Sequence, residues 1–141
     1  MANEKLQLEL VRTSPDSLSR MVKPCLEVIR ADGNAIRHVE PSWLGGGSAA
    51  GDELEALRLA AVRRDGFAIR HIDSPSLPVR LAAVRQDPMA LEFIRHKPRA
   101  VVAEAISRDP RSVRFLRRVP DWARRLIESS TGNWVEFYLA A

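Results

Sequence analysis

Cysteine is almost missing from this chain of 141 residues: Cys25 stands alone, so no internal disulfide and no cysteine cluster for zinc or iron–sulfur can form. No apolar run is long enough to span a bilayer, so no membrane association is expected. The opening stretch MANEKLQLEL has neither a basic start nor an uninterrupted apolar segment. That excludes a secretory signal and makes a cytoplasmic setting the expectation. Aromatic residues make up only 6% of the chain, and lysine is scarce: Lys5, Lys23 and Lys97 are outnumbered by 19 arginines. No spacing supports a Ser-His-Asp or Cys-His arrangement, so no catalytic residue, cofactor or metal site is expected. With 45% hydrophobic residues, the chain suits one soluble domain with a modest core.

What the chain has in abundance is internal repetition. ALRLAAVRRDGFAIRHI, PVRLAAVRQDPMALEFI and AVVAEAISRDPRSVRFL follow one another, and Asp65, Asp87 and Asp109 stand 22 residues apart. A fixed period of this size means stacked units, because one unit cannot bury its apolar face alone. CLEVIRADGNAIRHV puts Asp32 at the same point, ELVRTSPDSLSRM puts Ser14 there, and LIESSTGNWVEFY puts Thr131 there. The steps from Ser14 to Asp32 and from Asp32 to Asp65 are irregular, at 18 and 33 residues. The longer step contains GGGSAAG, from Gly45 to Gly51.

Each unit reads as two short helices. In the first, Val79, Leu81, Ala82 and Val84 recur at helical spacing. The marker residue caps the second by accepting a hydrogen bond from an orphan first-turn amide. Pro15, Pro88 and Pro110 occupy the next position, where a missing N–H costs nothing, and Gly33, Gly66 and Gly132 replace proline elsewhere. Small residues follow at the third position after the marker (Ala35, Ala68, Ala90, Ser112). Large ones follow at the fourth (Ile36, Ile69, Leu91, Val113) and seventh (Val39, Ile72, Ile94, Leu116), giving one buried stripe. The expected fold is therefore all-α, an α-solenoid of about six two-helix repeats forming a single domain over residues 1–141. A flexible glycine-rich insertion at 45–51 separates repeats 1 and 2 (residues 1–44) from repeats 3 to 6 (residues 54–141).

On the motifs LAAVRRDGFAIRHI and LAAVRQDPMALEFI the chain resembles the bacterial repeat family called domain of unknown function 4116, whose units run along the lines of vLaAVkqnGlaLqya. The likeness is good over Leu57–Ile94, fair over Cys25–Val39 and Val101–Leu116, and poor at both ends. The chain departs from that pattern by placing arginine where the family often has lysine or a neutral polar residue, and Asp-Pro where it often has Asn-Gly. There is a looser similarity to leucine-rich-variant and HEAT-like solenoids. The resemblance implies an array of short α-helices; since the family has no agreed activity, it offers no catalytic residues to carry over.

Charge is unevenly spread, at −3 over residues 1–56, +2 over 57–94 and +5 over 95–141. Arginines repeat with the scaffold: Arg30, Arg63 and Arg85 share one position, Arg64 and Arg108 the next, and Arg37, Arg70 and Arg114 a position in the second helix. Stacked units would set such equivalents in rows about 10 Å apart. A row of this kind suits planar capture of carboxylate or phosphate; it equally suits cations that merely favour helix C-termini. A denser basic group runs from Arg95 to Arg125 and includes Arg108, Arg111, Arg114, Arg117 and Arg118, with only Glu104, Asp109 and Asp121 opposing it. No helix-turn-helix, RNP or zinc-finger pattern accompanies it, so any nucleic-acid contact there would read shape and charge.

His38 and His71 match between units but stand too far apart to share one zinc, and Cys25 suits a small buried side chain. GGGSAAG lacks the Lys-Ser/Thr of a phosphate-binding loop. In the last unit Trp134, Phe137 and Tyr138 surround the helix with apolar surface, which suits self-association into a homodimer or a fold back onto Trp122. The leading expectation is a non-enzymatic repeat protein that engages an acidic protein partner through Arg63, Arg64, Arg85, Arg108, Arg111, Arg114, Arg117 and Arg118. The alternatives are sequence-nonspecific nucleic-acid binding through the basic C-terminal third and a HEAT-like DNA glycosylase. The glycosylase would need aromatics and a carboxylate around an extruded base, yet Trp43, Trp122 and Trp134 fall near a loop or the chain end.

Overall fold

The computed structural model describes residues 22–39 and 48–132. Among the described residues there are five α-helices: α1 (Val22–Ala31), α2 (Ser48–Arg64), α3 (Leu77–Gln86), α4 (Arg99–Arg108) and α5 (Asp121–Thr131). Four six-residue 3-10 helices alternate with them: η1 (Gly33–His38), η2 (Gly66–His71), η3 (Pro88–Phe93) and η4 (Pro110–Phe115). The described residues contain no strand, so this part of the chain is all-α.

One aspartate makes each α-to-3-10 junction. The amides of Asp32, Asp65, Asp87 and Asp109 close the preceding helix on the carbonyls of Val28, Ala61, Ala83 and Ala105, each at 2.9 Å. Their carboxylates then accept from the amides of Asn34, Phe67, Met89 and Arg111 at 2.9–3.0 Å. Closing one helix and capping the next from an extended residue turns the chain in a single step. The expected second helix is thus present but wound as 3-10, with i→i+3 bonds from the marker carbonyl onward. Six residues leave little room for an α ladder, whereas 3-10 turns satisfy short segments.

The stripe lies where the spacing put it. Ala35, Ala68, Ala90 and Ser112 are buried, as are Ile36, Ile69, Leu91 and Val113; Ile72 and Ile94 are buried too, while Val39 and Leu116 are half-buried. Ser112 fills a slot that is alanine in the other units, and its Oγ is buried without a hydrogen-bond partner among the described residues. Each α-helix packs on the next and each 3-10 helix on the next, so the core runs between a layer of α-helices and a layer of 3-10 turns. Removing each Leu, Ile or Val side chain of this core from water contributes about 1.5–3 kcal/mol.

In α3 Val79, Ala83 and Val84 are fully buried, and Leu81 and Ala82 are half-buried and pack against the same core. Two local expectations need correction. Thr131 is the last residue of α5 and not an extended cap residue: its hydroxyl donates to the Ile127 carbonyl, and Gly132 closes the helix at φ +77°. That left-handed conformation is where glycine ends helices without steric cost. Finally, Ser48–Gly51 of the glycine-rich stretch are the first residues of α2, so this part of the expected flexible connection is helical. Gly45–Gly47, the unit around Ser14 and the self-association candidates Trp134, Phe137 and Tyr138 lie outside the described residues.

Candidate functional site

Between α2 and α3, on the side away from the 3-10 layer's stripe, the surface sinks into a cleft of about 530 Å³. Leu59 supplies its floor from α2, and Leu77, Leu81 and Ala82 from α3; Arg63 and Arg85 line it as well. Leu77 is 45% exposed, which is unusual for a large apolar side chain on a short helix. The apolar residues of LPVRLAAVRQ extend around most of α3, and Leu77 lies beyond the reach of the core that Leu81 and Ala82 pack against. An apolar floor beside two guanidinium groups can take a ligand that presents both apolar and anionic groups.

Of the eight arginines singled out from the sequence, the structure brings some together and commits others. Arg63 and Arg85 share the cleft. Arg85 and Arg108 converge on Glu104, with Nε to Oε1 distances of 3.2 and 3.0 Å. Those bonds, Arg108 first, hold the Glu104 carboxyl below its usual range against the opposing effect of partial burial. Arg111 grips Asp109 bidentately, at 3.1 Å from Nε to Oδ1 and 2.9 Å from an Nη to Oδ2, and its hydrogen bond lowers the Asp109 pKa. Arg64 reaches back to the preceding unit, its Nε donating to the Ala31 carbonyl at 3.2 Å. Arg114 lies over the Phe115 ring at 4.9 Å. Arg117 and Arg118 are exposed, follow η4, and form no ion pair among the described residues. The expected single row is therefore a mixture of cleft-lining, paired and free cations, because Glu104 and Asp109 take up part of it.

The histidines of the two AIRH motifs have local partners. Arg37 Nε donates to His38 Nε2 at 3.0 Å and Arg70 Nε to His71 Nε2 at 3.1 Å. Burial, followed by the charges of Arg70 and Arg37, pushes the His71 pKa down, in keeping with a neutral ring that accepts from arginine. Cys25 is fully buried, and burial raises its thiol pKa, which disfavours the thiolate a nucleophile requires.

Sequence reasoning passed over Leu59, Leu77 and Leu81, which it assigned to the core or did not weigh, and Arg58 and Arg80. The last two had a readable signal: both stand seven residues before a marker, 22 apart. Among the described residues no helix is long and apolar enough to cross a membrane. The chain matches no protein-family model, no curated protein and no solved structure.

Proposed function

We propose that the chain is an α-solenoid of about six short repeats, of the kind the resemblance to domain of unknown function 4116 implies, and that it binds an acidic protein partner without catalysing a reaction. The observation that carries this reading is the cleft between α2 and α3, where Leu59, Leu77 and Leu81 lie beside Arg63 and Arg85. An acidic amphipathic helix fits such a surface: its apolar side chains cover the exposed leucines and its carboxylates meet the arginines. Helical repeats make surfaces of this type without building an enclosed pocket for a metabolite.

A labelled peptide of alternating Leu-rich and Glu-rich helix faces, followed by fluorescence anisotropy, tests the proposal. The Arg63→Glu/Arg85→Glu double variant is expected to weaken binding at least tenfold, and Leu81→Asp to do the same. Unchanged affinity in both variants, with the fold retained, removes the cleft as the site.

The second reading, nucleic-acid binding through the region from Arg95 to Arg125, is favoured by one observation: Arg117 and Arg118 are exposed and without an ion pair among the described residues. A duplex titration at graded salt discriminates. Each phosphate contact contributes about 0.9 to the slope of log K against log salt, and a flat profile eliminates this reading.

A further inference from the structure

On the other face of the molecule lies a second kind of concavity, and it repeats. A cleft of about 410 Å³ is bounded by Arg70 of η2, Arg80 of α3, and Arg95 and His96 after η3, with Asp73 as its one carboxylate. A smaller cleft of about 210 Å³ is bounded by Arg37 of η1, Arg58 of α2, His71 of η2 and again Asp73. The two are built from equivalent positions. Arg37 and Arg70 both stand five residues after a marker, and Arg58 and Arg80 both stand seven before the next. Each cleft is therefore the seam between one 3-10 turn and the following α-helix, lined by an arginine from each side. The third seam places Glu92 and Val102 at the same two positions and so lacks the pair, which Arg114 and Arg124 restore at the fourth.

Arg80 is the least expected member. Its side chain is half-buried, yet its Nε is shielded from solvent and has no hydrogen-bond partner among the described residues. A buried guanidinium N–H without an acceptor costs stability unless something supplies one. Asp73 is exposed and lies on a turn where Ser74 adopts φ +47°, a conformation that a serine seldom takes and that functional turns often hold. Against three arginines this lone carboxylate leaves two guanidinium charges uncompensated within the cleft. Two excess charges in a concave site match a dianion better than a single carboxylate, and guanidinium forks suit the tetrahedral oxygens of phosphate.

We infer that the larger cleft binds a phosphate monoester group, held between Arg70 of one unit and Arg80 of the next with Arg95 closing the third side. The smaller cleft, with two arginines against the same aspartate, is a weaker copy. The inference does not depend on the leucine-floored cleft described above, which lies on the opposite side of α3 and involves none of these arginines.

The test titrates inorganic phosphate into 15N-labelled protein at constant ionic strength, following the arginine Nε–Hε resonances and the amides of residues 70–74. Saturable shifts of the Arg80 Nε–Hε and of these amides, with a Kd in the low millimolar range or tighter, are the expected result. Arg70→Gln and Arg80→Gln should each weaken binding at least fivefold. Because Arg80 is half-buried, the exposed Arg70 provides the variant that keeps the test valid if Arg80→Gln fails to fold. Shifts that grow linearly, that chloride reproduces, or that folded Arg70→Gln leaves unaltered would overturn the inference. Parallel titrations with ribose 5-phosphate and a phosphoserine tripeptide identify the source of the group, through whichever binds tighter than inorganic phosphate. Equal affinity of all three supports recognition of phosphate alone, and tighter binding of acetate than of phosphate refutes it.

Discussion

The junctions at Asp32 and Asp65 and those at Asp87 and Asp109 share one cap and one turn of the backbone, yet they are joined to their neighbours differently. After the first pair comes glycine. A Cβ on Gly33 would sit 2.5 Å from the Ala61 carbonyl oxygen, and one on Gly66 would sit 2.7 Å from that of Ala83. The next helix thus approaches so closely that only hydrogen fits, and the approach is used: Gly66 donates its N–H to Gln86 at 2.8 Å, and Asn34 donates to Asp65 across the units at 2.8 Å. After the second pair comes proline, which has no N–H to give. There the cap carboxylate of Asp109 turns to Arg111 within its own unit, and the neighbouring units are tied instead by Glu104 between Arg85 and Arg108. One repeat has two ways of meeting the next, close backbone contact or exposed ion pairs, and only the first makes demands on residue size.

The largest effect should come from exchanging those demands. Gly66→Ala presses a methyl group onto a backbone carbonyl and displaces Gln86, so a loss of about 2–3 kcal/mol is expected, while Pro88→Ala should cost under about 1 kcal/mol. Urea denaturation of both variants measures the contrast, and equal costs would show that close approach is not what selects glycine.

A smaller difference separates the caps. Asp65→Ala loses the cap, at about 1 kcal/mol, and also the bond from Asn34, at about another 1 kcal/mol. Asp109→Ala loses the cap and an exposed ion pair worth little. The midpoint shift for Asp65→Ala should therefore be about twice that for Asp109→Ala, and identical shifts would break the distinction between bonding across units and within one.

The smallest effect is in pH. His71 has its folded pKa lowered, so its neutral form is favoured on folding; the stability it contributes is present above its ordinary value of 6.5 and declines as pH falls through it. Glu104 is also lowered, and its contribution is present above its ordinary value of 4.5 and is lost below. Acid titration of stability should thus weaken the glycine-joined half first. His71→Gln is expected to remove the first shallow step and Glu104→Gln the second, each at a few tenths of a kcal/mol given their exposure. A profile unaltered by either substitution refutes the assignment.

The cap, the breaker after it and the apolar offsets are local properties of six or seven consecutive residues, so Asp65, Pro88, Ala90 and Leu91 could be placed from spacing alone. The same locality misled at Thr131 and Gly132. A polar residue followed by glycine reads equally as the start of a turn and as the end of a helix, and the preceding ARRLIESS, which continues α5 to Thr131, decides for the latter. Spacing also fails to separate 3-10 from α winding over six residues, because positions three and four apart are neighbours in either.

The proposed binding surfaces were less legible. Arg63 and Arg85 were found as repeated residues, but their cleft also depends on Leu59 from one helix and Leu81 from the next, which pack on the core and still line the cleft. Whether a leucine faces the interior or the surface of a helix that is apolar on two sides is settled by which side its neighbour occupies. In the same way Arg70 and Arg80 line one cleft only where two units meet. Short-range chemistry of capping and turn formation set the repeat and its local geometry, since those energies arise between residues a few positions apart. Which arginines are paired, which are buried and which leucines stay uncovered follows from how close the units stack, a distance written in no single segment of the chain.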